Sequence, residues 1–171
     1  GSFTGELNLE SLKNIGINYT LVGHYERRKI MYEEYEMAKE KLFKSLSSKC
    51  QTILCVGEEK RMRKPFSYVK KELNFYLRSI ESSSIKYLSI AYEPNWAIGT
   101  GDVQDISKIE QTVNLIKDYV HKKYNFEVEV YYGGSINGEN IKAIYDVCDG
   151  VVLGKISTDY KSLNNLLSNI K

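Results

Sequence analysis

Five short runs rich in β-branched and aromatic residues recur along the chain, each followed by a longer amphipathic stretch, and this alternation limits the fold more than any other feature. The runs are Tyr19–Val22, Thr52–Val56, Tyr87–Tyr92, Val128–Tyr132 and Gly150–Leu153. Between them the apolar residues change to helical spacing. One predicted helix buries Tyr35, Ala38, Leu42 and Leu46; the next starts after Pro65 and buries Val69, Leu73, Tyr76, Leu77 and Ile80. A third opens on the capping-box pattern Ser107…Glu110 and buries Ile109, Val113, Ile116 and Val120. A weaker helix holds Ile141 and Ile144, the last holds Leu163, Leu166, Leu167 and Ile170, and a short one around Leu9–Ile15 precedes the first strand. Such alternation predicts an α/β fold, a parallel sheet covered by helices.

Two architectures satisfy this pattern. A doubly wound sheet of the flavodoxin-like kind suits 171 residues as it stands. The other is a piece of an eight-stranded barrel, which runs to about 250 residues when whole. Periodicity does not separate them. With 42% hydrophobic residues and no low-complexity linker, residues 1–171 read as a single domain. Lys and Arg total 24 against 22 acids, a net charge of +2, which gives no electrostatic reason to expect nucleic acid or a membrane surface as partner. No apolar run approaches the roughly 20 residues that a membrane-spanning helix needs. Cys50, Cys55 and Cys148 are odd in number and lack metal-ligand spacing, so reduced thiols in a cytosol-like compartment are the plainest reading.

The motifs carry more. In Ala91-Tyr92-Glu93-Pro94-Asn95-Trp96-Ala97-Ile98-Gly99-Thr100-Gly101 a strand delivers a carboxylate to its C-terminal end. A Pro then breaks the strand, and a Gly-punctuated loop follows. Ligands and catalytic groups collect at such strand ends in α/β folds, although a lone Glu there is as readily a solvated loop residue. In Leu21-Val22-Gly23-His24-Tyr25-Glu26-Arg27-Arg28 an imidazole stands between a strand end and a helix start, where the helix N-terminus disfavours its protonated form. Taken alone, His24 is as readily structural. Tyr132-Gly133-Gly134-Ser135 and Gly150-Val151-Val152-Leu153-Gly154-Lys155 each run a strand into glycine, where backbone N–H groups can face an anion. His121 lies at a Lys-rich helix end, where capping the last carbonyls explains it.

Together and in this order, these stretches resemble the triosephosphate isomerase family, whose members share a parallel (β/α)8 TIM barrel. The eleven-residue run resembles the strand of the catalytic base and the lid behind it, and Gly-His-x-Glu-Arg-Arg resembles the strand that carries the electrophile. A Glu base beside a neutral His is the family's own arrangement and comes here with the resemblance. The resemblance implies catalytic roles for Glu93, His24 and Glu26, with Arg27 and Arg28 supporting the site or serving as structural ion pairs. It implies a phosphate site at the amides of Gly99, Ser135, Gly154 and Lys155. It further implies a lid with its supports at Pro94, Trp96, Ile98, Thr100, Glu58 and Tyr132, the Glu58 carboxylate holding the Trp96 indole. Ser2-Phe3-Thr4-Gly5-Glu6 resembles the loop tip that reaches into a second subunit, so a homodimer or larger oligomer is implied. The implied substrate is a triose phosphate, with no metal and no organic cofactor. The implied location is the cytoplasm, a plastid or other organelle being left open.

The resemblance begins after the family's third strand. The chain is therefore expected to form a truncated barrel, the last five βα units or strands four to eight, without the family's Asn and catalytic Lys. A non-catalytic truncated or degenerate barrel is the alternative. Several positions depart from the family pattern: Tyr25 stands for a Ser, Asn95 for an apolar hinge residue, Asp102-Val103-Gln104 for Lys-Thr-Ala, and Val152 for a Leu that presses on the catalytic Glu. Lys155 stands for a Gly, which carries the expectation of a strained, positive-φ lysine in the phosphate loop.

Overall fold

The computed structural model describes residues 4–170, so Ser2 and Phe3 of the subunit-contact tip lie outside the described residues. Five parallel strands form one sheet: β1 (Tyr19–Val22), β2 (Gln51–Val56), β3 (Leu88–Tyr92), β4 (Val130–Gly133) and β5 (Gly150–Val152). Their spatial order is β1-β2-β3-β4-β5, the same as their order in the chain. A doubly wound sheet reverses its strand order at a switch point; a barrel wall does not. The sheet accordingly curls into a half-barrel.

Among the described residues seven α-helices stand between and around the strands: α1 (Leu9–Asn14), α2 (Tyr25–Lys29), α3 (Tyr35–Ser47), α4 (Phe66–Tyr76), α5 (Ile106–Tyr124), α6 (Ile141–Tyr145) and α7 (Tyr160–Ser168). The faces read from periodicity are the buried ones: Ala38, Leu42 and Leu46 on α3, Val69, Leu73 and Tyr76 on α4, Ile109, Val113, Ile116 and Val120 on α5. They pack on Leu54, Val56, Ile90, Tyr92, Val130 and Tyr132 of the three central strands. Burial on both faces explains the consecutive apolar residues Ile53–Val56 of β2 and Ile90–Tyr92 of β3.

Three local expectations are corrected. Helix α5 begins at Ile106 with Asp105 as its N-cap, so Ser107 lies inside the first turn and caps nothing. The Asp105 carboxylate makes no capping bond either and reaches Lys108 Nζ at 3.2 Å instead. Tyr87 ends a 3₁₀ turn, Ile85–Tyr87, and β3 starts one residue later. At the other end of α5, Asn125 adopts the left-handed conformation and its N–H caps the His121 carbonyl. Among the described residues the His121 ring caps no carbonyl; its Nδ1 lies 2.7 Å from Glu127 Oε1.

The outermost strands are unequal to the central ones. Leu54 on β2 is fully buried, whereas Leu21 on β1 is 43% exposed. Strand β1 pairs only with β2 and β5 only with β4, so among the described residues each outer strand has one unpaired edge. Leu54→Ala is expected to cost about 2–5 kcal/mol, and Leu21→Ala, at the open edge, well under about 1 kcal/mol. Urea unfolding of the two variants checks this; equal losses would mean that the β1 edge is covered in solution.

Candidate active site

The C-terminal ends of β1, β2, β3 and β4 converge on one carboxylate. Glu93 follows β3 directly, and its N–H donates to the Val56 carbonyl at 2.8 Å, which extends the β2–β3 ladder by one residue. Two glycines make room for it. A Cβ on Gly57, just after β2, would lie 1.9 Å from the Glu93 carbonyl oxygen, and a Cβ on Gly133, the last residue of β4, would lie 2.6 Å from Glu93 Cγ. Gly133 therefore serves the Glu93 side chain by its missing Cβ, a different duty from the anion-facing amide expected of it.

The Glu93 side chain is buried, and neither carboxylate oxygen has a hydrogen-bond partner among the described residues. Burial pushes its pKa up to about 7, against the pull of the Cys55 thiol and the Arg28 charge, with Glu26 adding to the rise. A carboxyl with that pKa accepts and returns a proton near neutrality, the property of a general base.

His24 faces it, with Nε2 3.6 Å from Glu93 Oε2. That is beyond hydrogen-bond range, so the two groups stand side by side without neutralising each other. His24 is the N-cap of α2, where its Nδ1 accepts the Glu26 N–H at 3.3 Å. An Nδ1 engaged as acceptor leaves the ring proton of the neutral imidazole on Nε2, the nitrogen turned toward Glu93. Burial lowers the His24 pKa; Glu26 opposes this and Arg28 reinforces it. The imidazole is thus a neutral donor at physiological pH. Glu26 itself is exposed and acts on the pair through its N–H and its charge.

The loop after Glu93 is tied down at both ends. Pro94 is buried, and a 3₁₀ turn over Asn95–Ala97 follows it. The buried Glu58 carboxylate, two residues after β2, accepts from Trp96 Nε1 at 3.1 Å, Tyr92 Oη at 3.2 Å and Gln104 Nε2 at 3.3 Å. Gln104 N–H also reaches the Tyr132 hydroxyl at 3.5 Å. Ser135 Oγ donates to the Ala97 carbonyl and accepts from Gly101 N–H, which seats the loop on the end of β4. Gly99 has φ +68 and, with Thr100, stands exposed at the tip, while Ile98 is half-buried. Arg61 stacks 4.0 Å from the centre of the Trp96 ring and lies 3.5 Å from Asp102 Oδ2.

Pairing of β4 with β5 sets Gly133 beside Val152, so Ser135 and Gly154 both leave the same end of the sheet. Lys155 is exposed and opens a 3₁₀ turn, Lys155–Thr158. The non-glycine residues of positive φ are Tyr32, Lys49 and Asn125, so the strain expected at Lys155 is absent: the right-handed turn accommodates a side chain. Arg27 pairs with Glu6 and Glu33, the structural reading of that residue, whereas Arg28 turns inward to Glu72 and Tyr35. Among the described residues no three His, Cys, Asp or Glu side chains come together as a metal set, and no helix is long and apolar enough to cross a membrane.

Gly57 and Glu72 take part in this arrangement without having stood out in the sequence, and Gln104 stood out only as a departure from the family pattern. Gly57 had a local signal, since it directly follows a strand; Glu72 had none.

The raised pKa of Glu93 makes a signed prediction. A carboxyl of pKa about 7 when folded, against 4.5 when unfolded, keeps its proton in the folded state between those values, so its contribution to stability falls as pH rises through that window. Glu93→Gln removes this penalty. The variant should gain on the order of 3 kcal/mol over the parent at pH 8 and nothing below pH about 4.5. Chemical denaturation at both pH values measures it, and a gain independent of pH would mean that Glu93 is not desolvated.

The family model for triosephosphate isomerase matches residues 1–170. A triosephosphate isomerase of Mycoplasma genitalium is 38% identical over 168 residues, covering 95% of this chain and 68% of the relative. One from Alkaliphilus metalliredigens is 37% identical over 166 residues, covering 92% and 67%. One from Orientia tsutsugamushi is 34% identical over 176 residues, covering 100% and 70%.

Proposed function

The chain belongs to the triosephosphate isomerase family, and from that premise we propose that Glu93 is the base that moves a proton between the two carbons of a bound triose phosphate while neutral His24 polarises the carbonyl beside them. The family reaction, interconversion of dihydroxyacetone phosphate and D-glyceraldehyde 3-phosphate, belongs to glycolysis and gluconeogenesis. The observation that carries the assignment is the pair itself: a buried carboxylate with no hydrogen-bond partner among the described residues, 3.6 Å from Nε2 of His24, whose ring accepts a hydrogen bond at Nδ1.

The chemistry follows from those two groups. Glu93 removes the proton α to the carbonyl, and negative charge develops on the carbonyl oxygen. The His24 Nε2–H, aimed into the same space, stabilises that charge and passes a proton between the two enediol oxygens. Glu93 then returns its proton to the neighbouring carbon, which completes the isomerisation with no net gain or loss. The lid over Pro94–Gln104 closes on the substrate phosphate and excludes water, with Gly99, Ser135, Gly154 and Lys155 offering their amides to the phosphate. Trp96, Ile98 and Thr100 move with the lid, and Glu58 and Tyr132 hold it. Glu26 keeps His24 oriented.

Triosephosphate isomerases that match at least 92% of this chain favour an enzyme over a degenerate, non-catalytic barrel. The half-barrel does leave one side of the Glu93–His24 pair unwalled, so residues 1–171 alone are expected to turn over poorly. Self-association is part of the same reading, supported by the unpaired edge of β1 and by the exposure of Tyr19 and Leu21 on that strand. The three free thiols fit a reducing compartment such as the cytoplasm.

The experiment assays residues 1–171 alone and mixed with a separately produced N-terminal segment of the Mycoplasma genitalium relative. Activity should appear in the mixture, and Glu93→Asp, which withdraws the carboxylate by about one methylene, should lower kcat there about 100-fold with little change in KM. Full activity from the chain alone would remove the argument from the missing wall. Equal rates for parent and Glu93→Asp would remove Glu93 as the base.

A further inference from the structure

Helix α4 buries one carboxylate against the back of the site. Glu72 is 5% exposed, and its two oxygens serve different elements. Oε2 accepts the Gly57 N–H at 2.8 Å. Oε1 accepts from Arg28 Nη1 at 3.0 Å and from the Tyr35 hydroxyl at 3.3 Å. Each of the first two partners leads to one member of the catalytic pair. Arg28 belongs to α2, the five-residue helix that His24 caps. Gly57 is the residue whose backbone lies so close under the Glu93 carbonyl that no Cβ fits between them.

We propose that Glu72 is a positioning residue: its carboxylate ties α2 to the turn at Gly57 and so sets the separation between His24 and Glu93. The inference rests on the reading of those two as base and electrophile. A carboxylate suits the task because both oxygens only accept, and every group turned toward them donates. An amide in the same place satisfies the Gly57 N–H with its oxygen but turns an NH2 toward the Arg28 guanidinium. The charge matters as well: Arg28 is largely buried and pairs with no other carboxylate among the described residues. The groups facing Glu72 are Arg28 from α2, Tyr35 from α3 and the Gly57 amide after β2, with the Tyr68 hydroxyl 3.4 Å beyond that of Tyr35. Burial pushes the Glu72 carboxyl up to about 7 against the pull of Arg28, so the tie is complete on the alkaline side of that value.

The test reads His24 directly, which is possible because the chain has two histidines. Imidazole ¹⁵N spectra of residues 1–171 should show His24 as a single Nε2–H tautomer, with His121 as an internal control on a distant helix. In Glu72→Gln the His24 tautomer should become mixed and the Glu93 carboxyl titration should move, while His121 stays unchanged. Arg28→Lys keeps the charge, loses the forked geometry and should give a smaller change of the same kind; it carries the test should the first variant not fold. Unchanged His24 and Glu93 signals in a folded variant would overturn the proposal. None of these readings needs turnover, so failure of the isomerase assignment would appear separately, as a parent with these spectra and no activity after reconstitution. Where activity is reconstituted, Glu72→Gln should lower kcat about 10–100-fold with KM held.

Discussion

The Glu93 carboxylate, buried against the bare Cα of Gly133 and without a hydrogen-bond partner among the described residues, is the costly element around which the rest is arranged, its own backbone carbonyl seated close over Gly57. A buried acid ordinarily either finds donors or takes up a proton. Glu93 does the second, and the balance of burial against Arg28 and Cys55 sets its pKa near neutrality. Donors at its oxygens would drive the pKa down and leave a weaker base. The two glycines achieve the packing without supplying any donor. His24 follows the same logic in reverse, since its place at the α2 N-cap commits Nδ1 as an acceptor and keeps the ring neutral.

The loop above the pair is organised by a second buried acid with the opposite treatment. Glu58 has its pKa raised by burial, and its own backbone N–H with the donors of Trp96, Tyr92 and Gln104 offset only part of that rise. It lies under both hinges of the loop at once, Trp96 on one side and Gln104 on the other. Between these anchors Gly99 and Gly101 have open space where a Cβ would be, so the tip is held by hydrogen bonds rather than by packing. The ends of the loop are packed instead, with Ala97 buried and Val103 against the core.

Much of this was legible in the sequence, and the limits have physical reasons. The strands and the buried faces of α3, α4 and α5 follow from periodicity, because side-chain burial imposes it. Glu93 and His24 stood out by their places at strand ends, strengthened by resemblance. The capping-box pattern at Ser107 misled because it is local, and Asp105 two residues earlier offered an equally good helix start. Strain at Lys155 was inferred from a replaced glycine, but the turn there is right-handed and tolerates any side chain. Glu72 was invisible for the opposite reason. Directly after Lys70 and Lys71 on α4 it reads as a solvated residue, and only the packing of α4 against β2 shows that it points inward.

The curvature of the sheet links the two halves of the site. His24 follows β1 and Glu93 follows β3, with β2 between them. In a flat sheet the ends of β1 and β3 would stand about 9–10 Å apart and their side chains would project in parallel. They meet at 3.6 Å because the sheet curls and turns both strand ends toward a common axis. A closed barrel enforces that curl by strand pairing all the way round. In a half-barrel with two unpaired edges, the curl depends on helices packed outside the sheet and on ties between neighbouring strand ends. Glu72 is such a tie, reaching from α4 to the turn after β2 and to the helix after β1. The geometry of the pair and the state of the open edges are therefore one question: whatever pairs with β1 and β5 also fixes how far His24 stands from Glu93.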